Sequence, residues 1–206
     1  MRYYLAHFFV FIFSVLLTTT SSSEMTLNDL FFDQTKPFHL KILEALPESA
    51  ILQVGSSDSE NTIIEFMDYF CGYCKKIHPE LMKIAKERND TRVIFLQHPI
   101  LSESSSIIAS MVIAANMQNK GLEFHNELFS IEGSINQKKL DEIIERININ
   151  KIKFGIDFRK DETKNIVKLS AFLANGAGAR GTPTLFINEE FIGGYIPIQT
   201  IENLLK

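Results

Sequence analysis

An α/β fold carrying an inserted helical subdomain is what the sequence predicts, and three stretches predict it. Thr62 to Tyr69 is an apolar, strand-like run that leads into helix-forming residues and then a second apolar run, Arg92 to His98. Ser102 to Gly176 is almost entirely helical in pattern, which no sheet accommodates. Thr184 to Ile187 and Phe191 to Gly193 read as a closing hairpin. A strand, a helix and a parallel strand make a right-handed crossover unit, the nucleus of an α/β sheet.

Residues 1–23 read as an export leader outside the fold. Arg2 gives a basic start, Leu5 to Leu17 an apolar run, and Thr20 to Ser23 small residues suited to cleavage. The run is 13 residues long and contains His7, short of the ~20 residues needed to span a bilayer. An uncleaved anchor is the alternative. No cysteine follows the run, so a lipid-modified cysteine is unsupported.

Residues 24–55 read as an N-terminal helical segment. Phe38, Leu40, Ile42, Leu43 and Leu46 recur at helical spacing behind Pro37. Docking on its own domain is the plainer role, and oligomerisation the other, for which the segment is short. Residues 56–206 form the main domain. Ile51 to Val54 is a short strand, and Gly55 to Asn61 a polar turn. Thr62 to Tyr69 is apolar on both faces apart from Glu65 and Asp68, as in a central strand. The active helix is expected over Cys71 to Arg88.

In the insertion, about 102–176, three faces are expected to be apolar: Ile107, Met111 and Ala115; Leu140, Ile143, Ile144 and Ile147; and Ile166, Leu169 and Leu173. Gly176 is read as a C-cap, and Phe124, Phe129, Phe154, Phe158 and Phe172 as subdomain core rather than a ligand site. The hairpin turns at Asn188-Glu189-Glu190, and a last helix covers Ile198 to Leu205.

The chemistry lies in the only two cysteines, Cys71 and Cys74, spaced C-x-x-C at the strand-to-helix step. A thiol opening a helix meets unpaired amides and the positive end of the helix dipole, which favour the thiolate. Such cysteines have pKa values of roughly 3.5–7.5 instead of about 8.5. Cys71 is therefore expected to be the exposed nucleophile, with Cys74, one turn on, the inward resolving thiol. A static dithiol is the bland alternative. Zinc on Cys71, Cys74 and His78 lacks a fourth ligand, because His39, His98 and His125 stand alone. Haem attachment needs a histidine where Lys75 stands. His78 reads as an exposed helix residue.

Composition narrows the classes further. Hydrophobic content of 45% with 17 Phe in 206 residues argues for a packed domain. The charge of −4, or −5 once Arg2 is removed with the leader, argues against a nucleic-acid partner. The absence of cysteines outside the pair suits an oxidising compartment.

Together, E-F-M-D-Y-F-C-G-Y-C-K, Pro79 five residues after Cys74, the helical insertion, and R-G-T-P-T-L-F-I-N from Arg180 to Asn188 resemble the thioredoxin superfamily. More narrowly they resemble its exported DsbA-like thiol:disulfide oxidoreductases. The resemblance implies a thioredoxin-like fold, a cis peptide bond at Pro183, and a Thr182 backbone edge that pairs with substrate. It also implies a buried acid, Glu65, six residues before Cys71, relaying a proton to Cys74. An exposed acid at a sheet edge is the alternative for Glu65. Gly72 and Tyr73 tune the couple: Tyr73 stands where strongly oxidising relatives carry histidine, so the disulfide is expected to be a milder oxidant. Gly-Tyr also occurs in disulfide-isomerase relatives, which leaves isomerase or reductase open beside oxidase. A metal-binding or structural exported protein is the remaining alternative. The resemblance further implies no bound cofactor beyond the redox disulfide, a periplasmic location, exported substrates with cysteine pairs, and a membrane redox partner that recycles the protein. Self-association into a homo-oligomer is left open.

Overall fold

The structure, a computed structural model, describes residues 36–206. The leader at 1–23 and the Met25 to Phe32 portion of the N-terminal segment lie outside the described residues. The fold is thioredoxin-like: five strands in the order β1-β3-β2-β4-β5, with helices on both faces. The strands are β1 (Leu52–Val54), β2 (Asn61–Met67), β3 (Thr91–Gln97), β4 (Thr184–Ile187) and β5 (Glu190–Ile192). Among the described residues only β2 and β3 run parallel; the other neighbours are antiparallel. No helix among the described residues is long and apolar enough to cross a membrane.

All seven residues of β2 are buried, because the strand is central and covered on both faces. Alternation divides its side chains between two cores. Ile63 and Met67, with Val93 and Phe95 of β3, meet α2 (Gly72–Glu87) and the C-terminal α8 (Ile198–Leu204). Ile64 and Phe66 face the opposite way, toward Ile42 of α1 (Phe38–Ala45), Ile113 of α3 (Glu103–Asn116) and Ile166 of α7 (Asp161–Gly176). The described part of the N-terminal segment thus packs on its own domain: α1 covers one face, Phe38 meets Phe186, and β1 pairs with β3. Gly55, linking β1 to β2, has φ +93°, and a Cβ there would lie 2.7 Å from the Thr91 carbonyl oxygen. Only glycine fits that approach.

Between β3 and β4 come α3, α4 (Gly121–Ser130), α5 (Gln137–Arg146), α6 (Lys151–Arg159) and α7. Several expected details shift. In α3 the buried stripe contains Ile108 and Val112, which leaves Ile107 exposed. In α7 it runs through Thr163, Ile166, Val167, Ser170, Leu173 and Ala174, so Phe172 is exposed rather than core, and Phe158 of α6 is only partly buried. α7 ends in a Schellman motif on Gly178 (φ +91°) instead of a cap at Gly176. The Gly178 N–H bonds to the Asn175 carbonyl and Ala179 N–H to that of Ala174. The hairpin turn is also shorter than expected: Ile187 pairs with Glu190, and Asn188 takes φ +54°.

Candidate active site

β2 stops at Met67, and Asp68 organises the turn that follows. Its Oδ1 accepts from Phe70 N–H at 2.9 Å, its Oδ2 from Ile100 and Leu101 N–H at 3.0 Å, and its carbonyl from Cys71 N–H. The loop after β3 is thereby tied to the chain entering α2. The sequence marks Asp68 only as a polar break in an apolar strand; an Asx turn before a helix is the signal that would have given it this role.

Cys71 is the N-cap of α2. Its Sγ accepts from Cys74 N–H at 3.3 Å, where serine or aspartate oxygen commonly sits. When protonated, Cys71 donates to the Thr182 carbonyl oxygen at 3.1 Å. The two cysteines are free thiols. The Cys71 pKa falls to about 5, chiefly through hydrogen bonding from the Cys74 side chain. Burial opposes the shift, while the Thr182 side chain and the amides of Cys74 and Tyr73 add to it. Cys74 moves the other way: burial, then its bond to Cys71 and the Glu65 charge, push it up.

Cys71 was expected to be exposed, yet it is 8% accessible. It is walled by Tyr69, Phe70 and Lys75 on one side and Leu128, Ile131 and Ile135 of the insertion on the other. These residues enclose an open cleft of about 320 Å³ that Cys71 also lines, so its sulfur is recessed but not sealed. Cys74 is 0% accessible.

Glu65 lies in the centre of β2, between Phe95 and Leu185, not at a sheet edge. It is fully buried, and neither carboxyl oxygen has a conventional hydrogen-bond partner. The Cys74 thiol is near enough to couple to it. Desolvation holds its pKa well above the usual carboxylate range. The Thr182–Pro183 bond is cis, and the loop carrying it follows from Gly181 with Thr184 bonding back to it.

Gly72 lines the cleft, with nothing within 4 Å of a Cβ built there. Tyr73 is 60% exposed and stacks on Tyr195 at 5.6 Å, while the Lys76 ammonium sits 4.3 Å over the Tyr195 ring. Lys75 instead donates to the Ile131 carbonyl, across the cleft. Nothing in the sequence pairs Tyr195 with Tyr73; the contact depends on how the β5–α8 link folds back.

His78 departs most from its expectation as an exposed helix residue. It is 8% accessible because Cys74, Ile77, His78 and Leu81 follow the i, i+3, i+4, i+7 stripe that faces the core. Its ring stacks on Phe129 at 4.8 Å, and burial lowers its pKa to about 4. Among the described residues no three His, Cys, Asp or Glu side chains form a group able to hold a metal ion.

The profile of the DSBA-like thioredoxin domain matches residues 62–206, from β2 to the last residue. The chain belongs to the DsbA-like thioredoxin family. It is 23% identical over 171 residues to disulfide bond formation protein D of Bacillus subtilis, covering 74% of this chain and 76% of that one. A 138-residue stretch, 65% of this chain, is 22% identical to Na(+)/H(+) antiporter NhaA 1 of Salinispora arenicola, of which it spans 21%. Two solved structures share the DsbA-like fold. The catalytic domain of Proteus mirabilis ScsC superposes with TM-score 0.71 at 24% identity, covering 81% of this chain and 93% of that one. The thiol-disulfide exchange protein alpha-DsbA2 of Wolbachia pipientis gives 0.66 at 21% identity, covering 85% and 88%. As a DsbA-like domain with this cysteine pair, the chain is a thiol–disulfide oxidoreductase.

Proposed function

We propose that the protein is a periplasmic dithiol oxidase that donates the Cys71–Cys74 disulfide to exported proteins with cysteine pairs. The observation that carries this reading is the asymmetry of the pair: Cys71 caps a helix at the floor of an open cleft, while Cys74 is sealed beside the fully buried carboxyl of Glu65. A substrate thiolate attacks Cys71 Sγ, the Cys71–Cys74 bond breaks, and Cys74 leaves with the electron pair. Glu65 is the proton source for that buried sulfur. The substrate's second thiol, deprotonated, attacks the substrate sulfur of the mixed disulfide, and Cys71 departs as its stabilised thiolate. The substrate loses two electrons and the protein gains them. A membrane-bound disulfide protein takes them in turn. The Thr182 carbonyl, 3.1 Å from Cys71 Sγ, supports a role for that backbone in aligning an extended substrate segment.

A thiolate held near pKa 5 stabilises the reduced protein, which makes the disulfide a ready donor. The name of the Bacillus subtilis relative agrees with this direction, and the leader expected at residues 1–23 supports export. Tyr73 favours a second reading, isomerase, because it adds no positive charge beside the thiolate. Incubation with a reduced and, separately, a scrambled multi-disulfide protein separates the two, with the mass of the assembly followed in parallel for self-association. Fast action on the reduced substrate alone is expected; rescue of the scrambled one would favour isomerisation. Tyr73→His is expected to raise the potential by on the order of 30 mV, the equivalent of about one pKa unit of thiolate stabilisation. Equilibration with a glutathione buffer measures it, and an unchanged potential would remove Tyr73 as a tuning residue.

A further inference from the structure

Beneath the cleft lies a buried cluster of rings that the exchange chemistry does not use. Tyr69 comes from the turn before Cys71, His78 from α2, Phe95 from β3, and His125 and Phe129 from α4 of the insertion. His125 lies 4.4 Å from Phe95, 4.7 Å from His78 and 5.0 Å from Phe129, centroid to centroid. It is fully buried. Within this cluster one polar bond joins the insertion to the active-site turn: Tyr69 Oη to His125 Nδ1 at 2.8 Å.

The direction of that bond follows from its neighbours. Gln97 Nε2 donates to Tyr69 Oη at 3.4 Å, so the hydroxyl's own proton is free to go to His125. Nδ1 then accepts, and a neutral His125 carries its hydrogen on Nε2, which has no partner among the rings. Burial, with the nearby His78, keeps the ring uncharged. Burial first, with Glu65 and Asp68 adding to it against the Gln97 hydrogen bond, pushes the Tyr69 pKa up, so its hydroxyl stays protonated.

The bond joins the two walls of the Cys71 cleft. Tyr69 belongs to one wall. Leu128 belongs to the other, one helical turn after His125 on the same face of α4. The Lys75 contact with Ile131 also bridges the walls but is solvent-exposed, and exposed charges hold little. We infer that His125 is a positioning residue, which through Tyr69 sets the width of the cleft that receives the substrate side chains beside the reacting cysteine. This rests on the exchange reading above. It gives the insertion a part in substrate binding through a residue that never touches sulfur.

The test is saturation kinetics of the full chain, kept oxidised by excess glutathione disulfide, with a synthetic two-cysteine peptide carrying leucine beside one cysteine. His125→Phe keeps the ring packing but strands the Tyr69 hydroxyl, and is expected to raise KM about tenfold with little change in kcat. Tyr69→Phe breaks the same bond from the other side, so it should raise KM similarly, and the double variant should be little worse than either single. His125→Asn, which offers an acceptor near the Nδ1 position, should lie closer to the unmutated chain than His125→Phe. Independently, imidazole nitrogen shifts of the unmutated protein at neutral pH should report His125 neutral and protonated at Nε2. An unchanged KM in His125→Phe, a double variant whose loss is the full product of the two single losses, or an Nδ1-protonated ring would each overturn the inference. Absence of peptide oxidation by the unmutated chain would instead sink the exchange reading, and this inference with it.

Discussion

Cys71→Ala abolishes disulfide transfer, while Cys74→Ala accumulates covalent complexes with substrate. The two thiols differ in every property that decides the order of events. Cys71 receives the amide of Cys74, opens to the cleft and ionises near pH 5. Cys74 has no accessible surface, and burial holds it protonated. An incoming thiolate therefore reaches only Cys71, and only Cys74 stands ready behind it to resolve the mixed species. Removing the resolving thiol blocks that return and leaves the complex standing. Non-reducing electrophoresis after mixing each reduced variant with a disulfide-bonded protein substrate, whose bond the Cys71 thiolate attacks, shows the difference. Complexes trapped by Cys71→Ala and not by Cys74→Ala would reverse the assignment.

Glu65→Gln is expected to stabilise the protein and slow it. A buried carboxyl is penalised for ionising, which the amide of glutamine cannot do, and that penalty grows with pH. Its folded pKa is raised above the unfolded value, so its favourable contribution is complete below the unfolded pKa, about 4.3. That contribution is lost as pH rises toward the elevated folded pKa. The variant should therefore gain roughly 1–3 kcal/mol at neutral pH, with a flatter dependence of stability on pH above about 4.3. Denaturant titrations across that range measure both. The reaction should suffer in exchange, because the departing Cys74 sulfur loses its nearest proton source. A slowing on the order of a hundredfold in reduction of the disulfide is the scale of a lost general acid. A variant as fast as the unmutated protein would remove Glu65 from the mechanism, whatever its stability.

Much of this architecture was legible because the strongest signals are local. The apolar run into C-x-x-C marks β2 and the start of α2, and the cis bond at Pro183 is what G-T-P-T implied through resemblance. Glu65 drew notice because a carboxylate within I-I-E-F-M breaks an apolar strand. Side-chain orientation was less legible where one residue's rotation decides it. Met111, Ala115, Ile166 and Leu173 lie on buried faces as expected, but His78 turns inward with Cys74, Ile77 and Leu81, while Ile107 and Phe172 fall outside the buried stripes of their helices. Contacts between distant segments left no local trace. Tyr195 reaches Tyr73, Ile131 reaches Lys75 and His125 reaches Tyr69 only once the insertion and the last hairpin are packed against the catalytic helix.

The most direct measurement is an ultraviolet titration of thiolate absorbance in the reduced protein. The account predicts a midpoint at about 5 that vanishes in Cys71→Ala and moves upward in Cys74→Ala, whose side chain is the largest single source of the shift. Because this folded pKa is depressed, the reduced form's extra stability is present above the unfolded thiol's pKa of about 8.5 and is lost as pH falls through about 5. A midpoint at or above about 8.5, the value of an ordinary thiol, would contradict the claim that the helix end and its neighbouring cysteine hold Cys71 as an anion.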